Sequence, residues 1–358
     1  MKKIPIYVAI TAHGFGHVSR TAAVLDTLLR LHPDILPIFV TPAPHWLLAD
    51  YVKGDFLHRP RRLDIGVIQA DGLRMDLPAT LEQLAALKQQ AAQRIAEEVS
   101  FIQTNRVRLV VADIPPLASA IAQAAGIPCW MVGNFGWDFI YQEYGDPFRP
   151  YVEWIQHLYG QSDRLFRLPL HAPMPGFPHQ QAVGLTGAEP LYPPDQVQAE
   201  LSLESHRPTV LLTFGGLGLQ HFPYQQLAAY PDWQFLTFDT QAPALPNLIP
   251  LSSQTWRPVD VMPVCRQIIT KPGYGTLSEA LRLGIPVTCL ERFGFAEAPY
   301  LLAGLQQFGR HQILHPSTFL EQPWTFLEQP FRDPSAPDQL PLGGNRAIAE
   351  AILNYVES

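Results

Sequence analysis

Short apolar runs alternate with amphipathic stretches in both halves of the chain. Residues 4–11 form a continuous apolar run, the pattern of a parallel strand buried on both faces. After a glycine loop, residues 18–31 place Val18, Ala22, Leu25 and Leu29 on one helical stripe. Residues 37–41 predict a second strand. Across residues 81–101, Leu81, Leu84, Leu87, Ala91 and Ile95 recur at spacings of three and four, which predicts a long amphipathic helix. A strand over 107–114, a helix over Leu117–Ala125 closed by Gly126, and a strand over 128–133 follow. Such alternation implies a parallel sheet covered by helices on both faces.

The pattern then breaks. Residues 141–159 are aromatic and mixed, 165–170 read as one more strand, and 171–194 are rich in Pro and Gly. An interdomain linker is expected near 187–194. A second βαβ series opens with a strand over 209–214 and the pair Gly215-Gly216. Further strands are expected over 233–238, Gln267–Thr270 and 286–290, with a helix over 276–283 ended by Gly284. Residues 345–356, with Ala347, Ile348, Ala351 and Ile352 apolar, predict a closing helix. The two halves open alike, as strand, glycine loop and helix, so the fold expected is α/β with two Rossmann-like units.

Bulk properties narrow the function. The 358 residues suffice for two domains, and a formal charge of −7 argues against a generic nucleic-acid binder. The 36 prolines fall mostly in loops between apolar runs, which reads as rigid connections. Cys129, Cys265 and Cys289 lie far apart in apolar segments with no CxxC, so neither a zinc site nor a disulfide framework is implied. The start Met1-Lys2-Lys3 is followed by too short an apolar run for a signal peptide, and no run reaches the ~18 residues of a membrane span. A cytoplasmic protein is expected.

The first glycine loop, His13-Gly14-Phe15-Gly16-His17, fails as a dinucleotide fingerprint. Ser19 takes the third glycine position, and the second strand ends in Thr41-Pro42 with no carboxylate. No Walker A loop is present. His13 and His17 could pair on a metal only if both were helical, which Gly14 and Gly16 oppose. A histidine at the carboxyl end of the first strand suits a general base, and Asp113, ending a neighbouring strand, could orient it. Each has a plainer reading. His17 could bond backbone at a helix start, and Asp113 could cap the helix after Pro115-Pro116. In the second half, Lys271-Pro272-Gly273-Tyr274-Gly275-Thr276 leads into a helix. Thr276 and Glu279 have capping-box spacing, yet the same helix start offers amides to a diphosphate. Gly215 and Gly216 could bring a second set of amides to that anion.

Residues 270–286 resemble the donor-binding segment of GT-B glycosyltransferases, the group of the peptidoglycan GlcNAc transferase and plant UDP-glycosyltransferases. Further stretches resemble the glycosyltransferase-like N-terminal region of plant L-arabinokinase, in the same order and over nearly the whole chain. They are Gln69-Ala70-Asp71, Asn134 to Tyr141 (NFGWDFIY), Arg167-Leu168-Pro169 with Pro173-Met174-Pro175, and Gly273 to Leu281 (GYGTLSEAL). No part of the sequence resembles that family's kinase half. The resemblance implies a GT-B fold, with residues 1–188 as the acceptor side and 189–358 as the nucleotide-sugar side, facing a central cleft. The closing helix is then expected to pack back toward the N-terminal half.

It also implies roles. Glu279 would accept from the donor ribose, Gly273, Gly275 and Thr276 would line the diphosphate beside Lys271, and Gly215 and Gly216 would form the opposing loop. Trp256 would lie near the base and Glu297 near the donor sugar. His17 would be the base, oriented by Asp113. His13, Gly14, Gly16, Arg20, Asn134, Trp137 and Asp138 would shape the acceptor side. The activity implied is transfer of a sugar from a nucleotide-sugar, UDP-linked, to an acceptor hydroxyl, inverting, with no metal and no cofactor. The acceptor would be a small molecule, lipid or glycan. Two other readings stay open: a non-catalytic nucleotide-sugar sensor, and an epimerase acting on the sugar nucleotide.

Overall fold

A computed structural model describes residues 3–11, 13–69, 75–215, 218–219 and 221–358. Gly216 of the second glycine loop and Ala70-Asp71 lie outside the described residues.

Among the described residues, seven parallel strands make the first sheet: β1 (Ile4–Ile10), β2 (Ile35–Val40), β3 (Leu57–Arg59), β4 (Val110–Asp113), β5 (Cys129–Gly133), β6 (Arg164–Arg167) and β7 (Gln180–Ala182), ordered β3-β2-β1-β4-β5-β6-β7. The second sheet has six: β8 (Thr209–Thr213), β9 (Gln234–Thr237), β10 (Leu248–Pro250), β11 (Gln267–Thr270), β12 (Val287–Leu290) and β13 (His311–Leu314). Their order is β10-β9-β8-β11-β12-β13, also parallel throughout. Each sheet runs outward in both directions from its first strand, the doubly wound arrangement. Its switch points, β1/β4 and β8/β11, leave a crevice beyond the strand ends.

Period-two alternation explains why β1 is apolar on both faces. Ile6, Val8 and Ile10 join the cluster containing the helices Gly16–Leu31 and Gly344–Glu357, while Tyr7 and Ala9 face the helices Leu77–Thr104 and Leu117–Ala125. The C-terminal helix buries Ile348, Ile352 and Val356 and packs against the first helix, across the molecule from its own sheet. Arg108 Nη1 donates to the Val356 carbonyl at 2.8 Å, and Trp130 meets Tyr355 edge-on at 5.3 Å. Among the described residues no helix is long and apolar enough to cross a membrane.

Residues 137–142, which lead into the mixed stretch, and 149–159 within it are helical. Val152, Ile155, Leu158 and Tyr159 give the second of these a buried stripe, and Pro150 fits its first turn.

Candidate functional site

Register puts the first candidates side by side. Ile10 pairs with Asp113 across β1 and β4, so the chain leaves β1 into the glycine loop next to that carboxylate. The helix starting at Gly16 then turns His17, Arg20 and Thr21 back toward it. Asp113 Oδ1 lies 2.8 Å from His17 Nδ1 and accepts from Arg20 Nη2 at 2.6 Å. Its Oδ2 accepts from Arg20 Nε and from the Thr21 hydroxyl, both at 2.7 Å. The plainer readings of His17 and Asp113 are not realised: the helix after Pro115 has no side-chain cap, and His17 bonds a carboxylate rather than backbone.

Burial alone would raise the Asp113 carboxyl, but the Arg20 guanidinium and His17 outweigh it and hold it well below the usual carboxylate range. Asp113 is therefore an ionised acceptor. We assign the Nδ1 proton of His17 to this bond, because a carboxylate facing an unprotonated Nδ1 at 2.8 Å would be repelled. Nε2 is then left with its lone pair. Arg20 Nη2 lies 3.0 Å from Nδ1 and donates one of its two hydrogens to Asp113 Oδ1. His13 adopts the opposite tautomer: its Nδ1 accepts from the Val67 amide at 3.3 Å, so the proton sits on Nε2. Burial, then His17, Arg292 and Lys271, hold His13 well below its ordinary pKa, so it stays a neutral donor. Its ring stacks on Phe295 of the other half at 5.5 Å.

The two helix starts meet. An added Cβ at Gly275 would lie 3.3 Å from Gly16 Cα and 3.6 Å from Ser19 Oγ. Beside this contact opens a cavity of about 400 Å³ between the halves. The C-terminal half supplies Phe214, Gly215, Asp239, Trp256, Thr276 and Glu279, and the N-terminal half supplies Phe15, Trp46 and Tyr51. Gly215 takes a positive φ of 74°, and the Lys271 side chain runs past it. Trp256 is buried edge-on to Tyr192 at 5.2 Å.

The helix Tyr274–Leu283 begins one turn earlier than its capping pattern predicted. Gly273 is the N-cap, no side chain caps it, and Thr276 is the third helical residue. Glu279 reaches instead across the cavity wall, where Oε1 accepts from the Ala188 amide at 3.2 Å. Burial pushes its carboxyl up to about 7, and the Ala188 bond and Arg257 only partly oppose this.

Other expected positions are corrected. Trp137 and Asp138 are core residues rather than cleft residues, because the short helix Trp137–Gln142 turns them inward. Trp137 Nε1 donates to Asp64 at 3.0 Å, and its ring meets His13 edge-on at 5.2 Å. Asp138 packs against Gly136 and Gly176, and burial raises its carboxyl. Asn134 and Glu297, expected on opposite substrates, bond each other at 2.7 Å. Gly14 is exposed at φ 72° in the loop.

The sequence reading missed Tyr51, Trp46 and Arg257. Arg257 pairs with Asp260 at 2.6 Å and lies 5.0 Å over the Tyr51 ring. The spacing of Arg257 and Asp260 was the available signal, since they form a reciprocal cap. Among the described residues no group of three His, Cys, Asp or Glu could hold a metal.

No family model matches the sequence. Over 300 residues, 82% of this chain, it is 32% identical to L-arabinokinase of Arabidopsis thaliana, and the match spans 28% of that protein. The fold is similar to Arabidopsis thaliana UGT89C1 solved with UDP, with a TM-score of 0.60 and 15% identity, covering 99% of this chain and 100% of that one. It is also similar to Acinetobacter baumannii MurG, with a TM-score of 0.54 and 16% identity, covering 98% and 99%. The chain is thus a homologue of plant L-arabinokinase over the stretch they share, folded as a two-domain GT-B glycosyltransferase.

Proposed function

We propose that the protein transfers a glycosyl group from a UDP-linked donor to an acceptor hydroxyl, with inversion and without a metal. One observation carries this reading: the interdomain cavity joins a helix start, a buried carboxylate and an indole of the second half to Phe15, Gly16 and Ser19 of the first, the loop and helix start that also carry His17 beside Asp113. Glu279 accepts from the ribose hydroxyls, Trp256 covers the base, and the amides at Gly275 and Thr276 face the diphosphate. His17 Nε2 removes the acceptor proton as the hydroxyl oxygen attacks the anomeric carbon. The bond from that carbon to the diphosphate breaks, and the charge developing there is met by the helix start and Lys271. Direct displacement inverts the centre. The UDP bound to UGT89C1 supports the choice of base, and the quercetin complex of the same plant enzyme supports a small-molecule acceptor.

A thermal-shift screen with UDP, GDP, dTDP and their sugars tests the donor. A ligand at a hundred times its Kd adds ~2.7 kcal/mol to the folded state. In a transfer assay His17→Ala lowers kcat by about 10²–10⁴, the range of general-base assistance. Unchanged turnover would remove His17 from the mechanism. Proton NMR of the donor without acceptor separates transfer from epimerisation, since only the latter changes the sugar's stereochemistry.

A further inference from the structure

Beside the His17–Asp113 pair lies a chain of buried polar groups, Arg20, Asn134 and Glu297, that the reaction above does not use. Arg20, bound through Nε and Nη2 to Asp113, donates its Nη1 to Asn134 Oδ1 at 2.7 Å. Asn134 Nδ2 donates in turn to Glu297 Oε1 at 2.7 Å. Arg20 also lies 4.9 Å over the Tyr274 ring, at the start of the helix presenting Gly275. Asn134 and Asp113 are wholly buried, Arg20 is 2% exposed and Glu297 is 6% exposed. Arg20, Asp113 and Asn134 belong to the first half, and Tyr274 and Glu297 to the second. The chain therefore closes only when the halves are together.

Chemistry dictates the residue in the middle. One neighbour of position 134 is a cation that only donates, and the other is a carboxylate that accepts. A side-chain amide answers both, offering oxygen to the first and NH₂ to the second. Opening the cleft would leave Asn134 and Glu297 without each other, and one restraint on Arg20, hence on the Asp113 carboxylate that orients His17, would be lost.

We propose that Asn134 is a positioning residue: its amide joins Glu297 to the Arg20–Asp113–His17 group, so that closure of the two halves and alignment of the base are one event. This rests on the transfer reading for its catalytic consequence, but the bridge itself is testable without it. Spin labels on Gln93→Cys and Asp232→Cys, both exposed and in opposite halves, report the interdomain distance in the full chain. Asn134→Asp sets two buried carboxylates against each other and shifts the distribution to longer distances. Glu297→Gln alone leaves it narrow, because the amide oxygen still accepts from Asn134. Combining the two substitutions restores the short distance with the bond reversed, the new amide donating to the new carboxylate. Asn134→Ala, which adds no charge, broadens the distribution should Asn134→Asp fail to fold. In the transfer assay Asn134→Ala lowers kcat about tenfold, ~1.4 kcal/mol, with donor KM held within about threefold, since the nucleotide cavity is intact.

Wild-type distances in both Asn134 variants, or no rescue by the pair, would overturn the proposal. So would a kcat unchanged by Asn134→Ala. If the wild-type protein transfers no sugar, the function reading fails, and the distance measurements still decide the bridge.

Discussion

Glu279 has a folded-state carboxyl pKa raised from 4.5 to about 7, with burial as the largest cause. The folded protein therefore holds this proton more tightly than the unfolded chain. Stability falls as pH rises from about 4.5 to 7, and the cost is complete above that window. At 1.36 kcal/mol per unit the shift corresponds to roughly 3 kcal/mol. Glu279→Gln keeps the shape and an oxygen for the Ala188 amide but cannot ionise. Urea denaturation at pH 5 and pH 8 should show wild type losing roughly 2–3 kcal/mol relative to the variant over that interval, most of the full effect. The same substitution should weaken UDP binding about 10–100-fold at pH 8, because hydrogen bonds to a charged acceptor are worth ~1.5–3 kcal/mol. The variant would then be the sturdier protein and the poorer binder, the trade expected where a site keeps an unfavourable charge for its ligand. A stability difference that does not change with pH, or undiminished UDP affinity, would refute the argument.

Two further outcomes follow from the same geometry. Asp113→Asn leaves Arg20 buried without its counter-charge and should cost ~3–5 kcal/mol in urea denaturation. Because the Asp113 carboxyl is held below the usual range, wild type should keep that advantage above about pH 4 and lose it only as pH falls further. Gly275→Ala places a methyl 3.3 Å from Gly16 Cα, where backbone must shift, and should weaken UDP binding by ~1–3 kcal/mol in calorimetry.

How much was legible depended on where the physics was local. The buried central strand β1 announces itself as an unbroken apolar run, and β8 and β11 as shorter apolar stretches flanked by polar residues. The four strands the sequence did not disclose, β3, β7, β10 and β13, are the edges of the two sheets. Edge strands face solvent along one side and are short; Gln180–Ala182 is exposed throughout. The two helices between 137 and 159 were hidden by their aromatics: in the second, half-buried Tyr151 and Trp154 interrupt the stripe of Val152, Ile155, Leu158 and Tyr159. His17 and Asp113 could be paired because parallel register fixes which residues emerge together. Glu279 misled, since capping spacing is a local signal and its actual partner lies 91 residues away. The bonds of Asn134 span 114 and 163 residues, beyond anything a pattern of neighbours encodes.

The return of the last helix to the first half has a mechanical consequence. The polypeptide passes between the halves twice, and the two passages are stitched to each other: Leu185 donates to Pro341 at 2.8 Å and accepts from Gly344 at 3.1 Å. Asn345 adds a reciprocal pair of bonds with Gly187 at 3.2 and 2.8 Å. A single tether would let the halves drift and swivel freely. A doubled, cross-bonded one restrains both translation and twist of one half against the other, because the two passages can move only together.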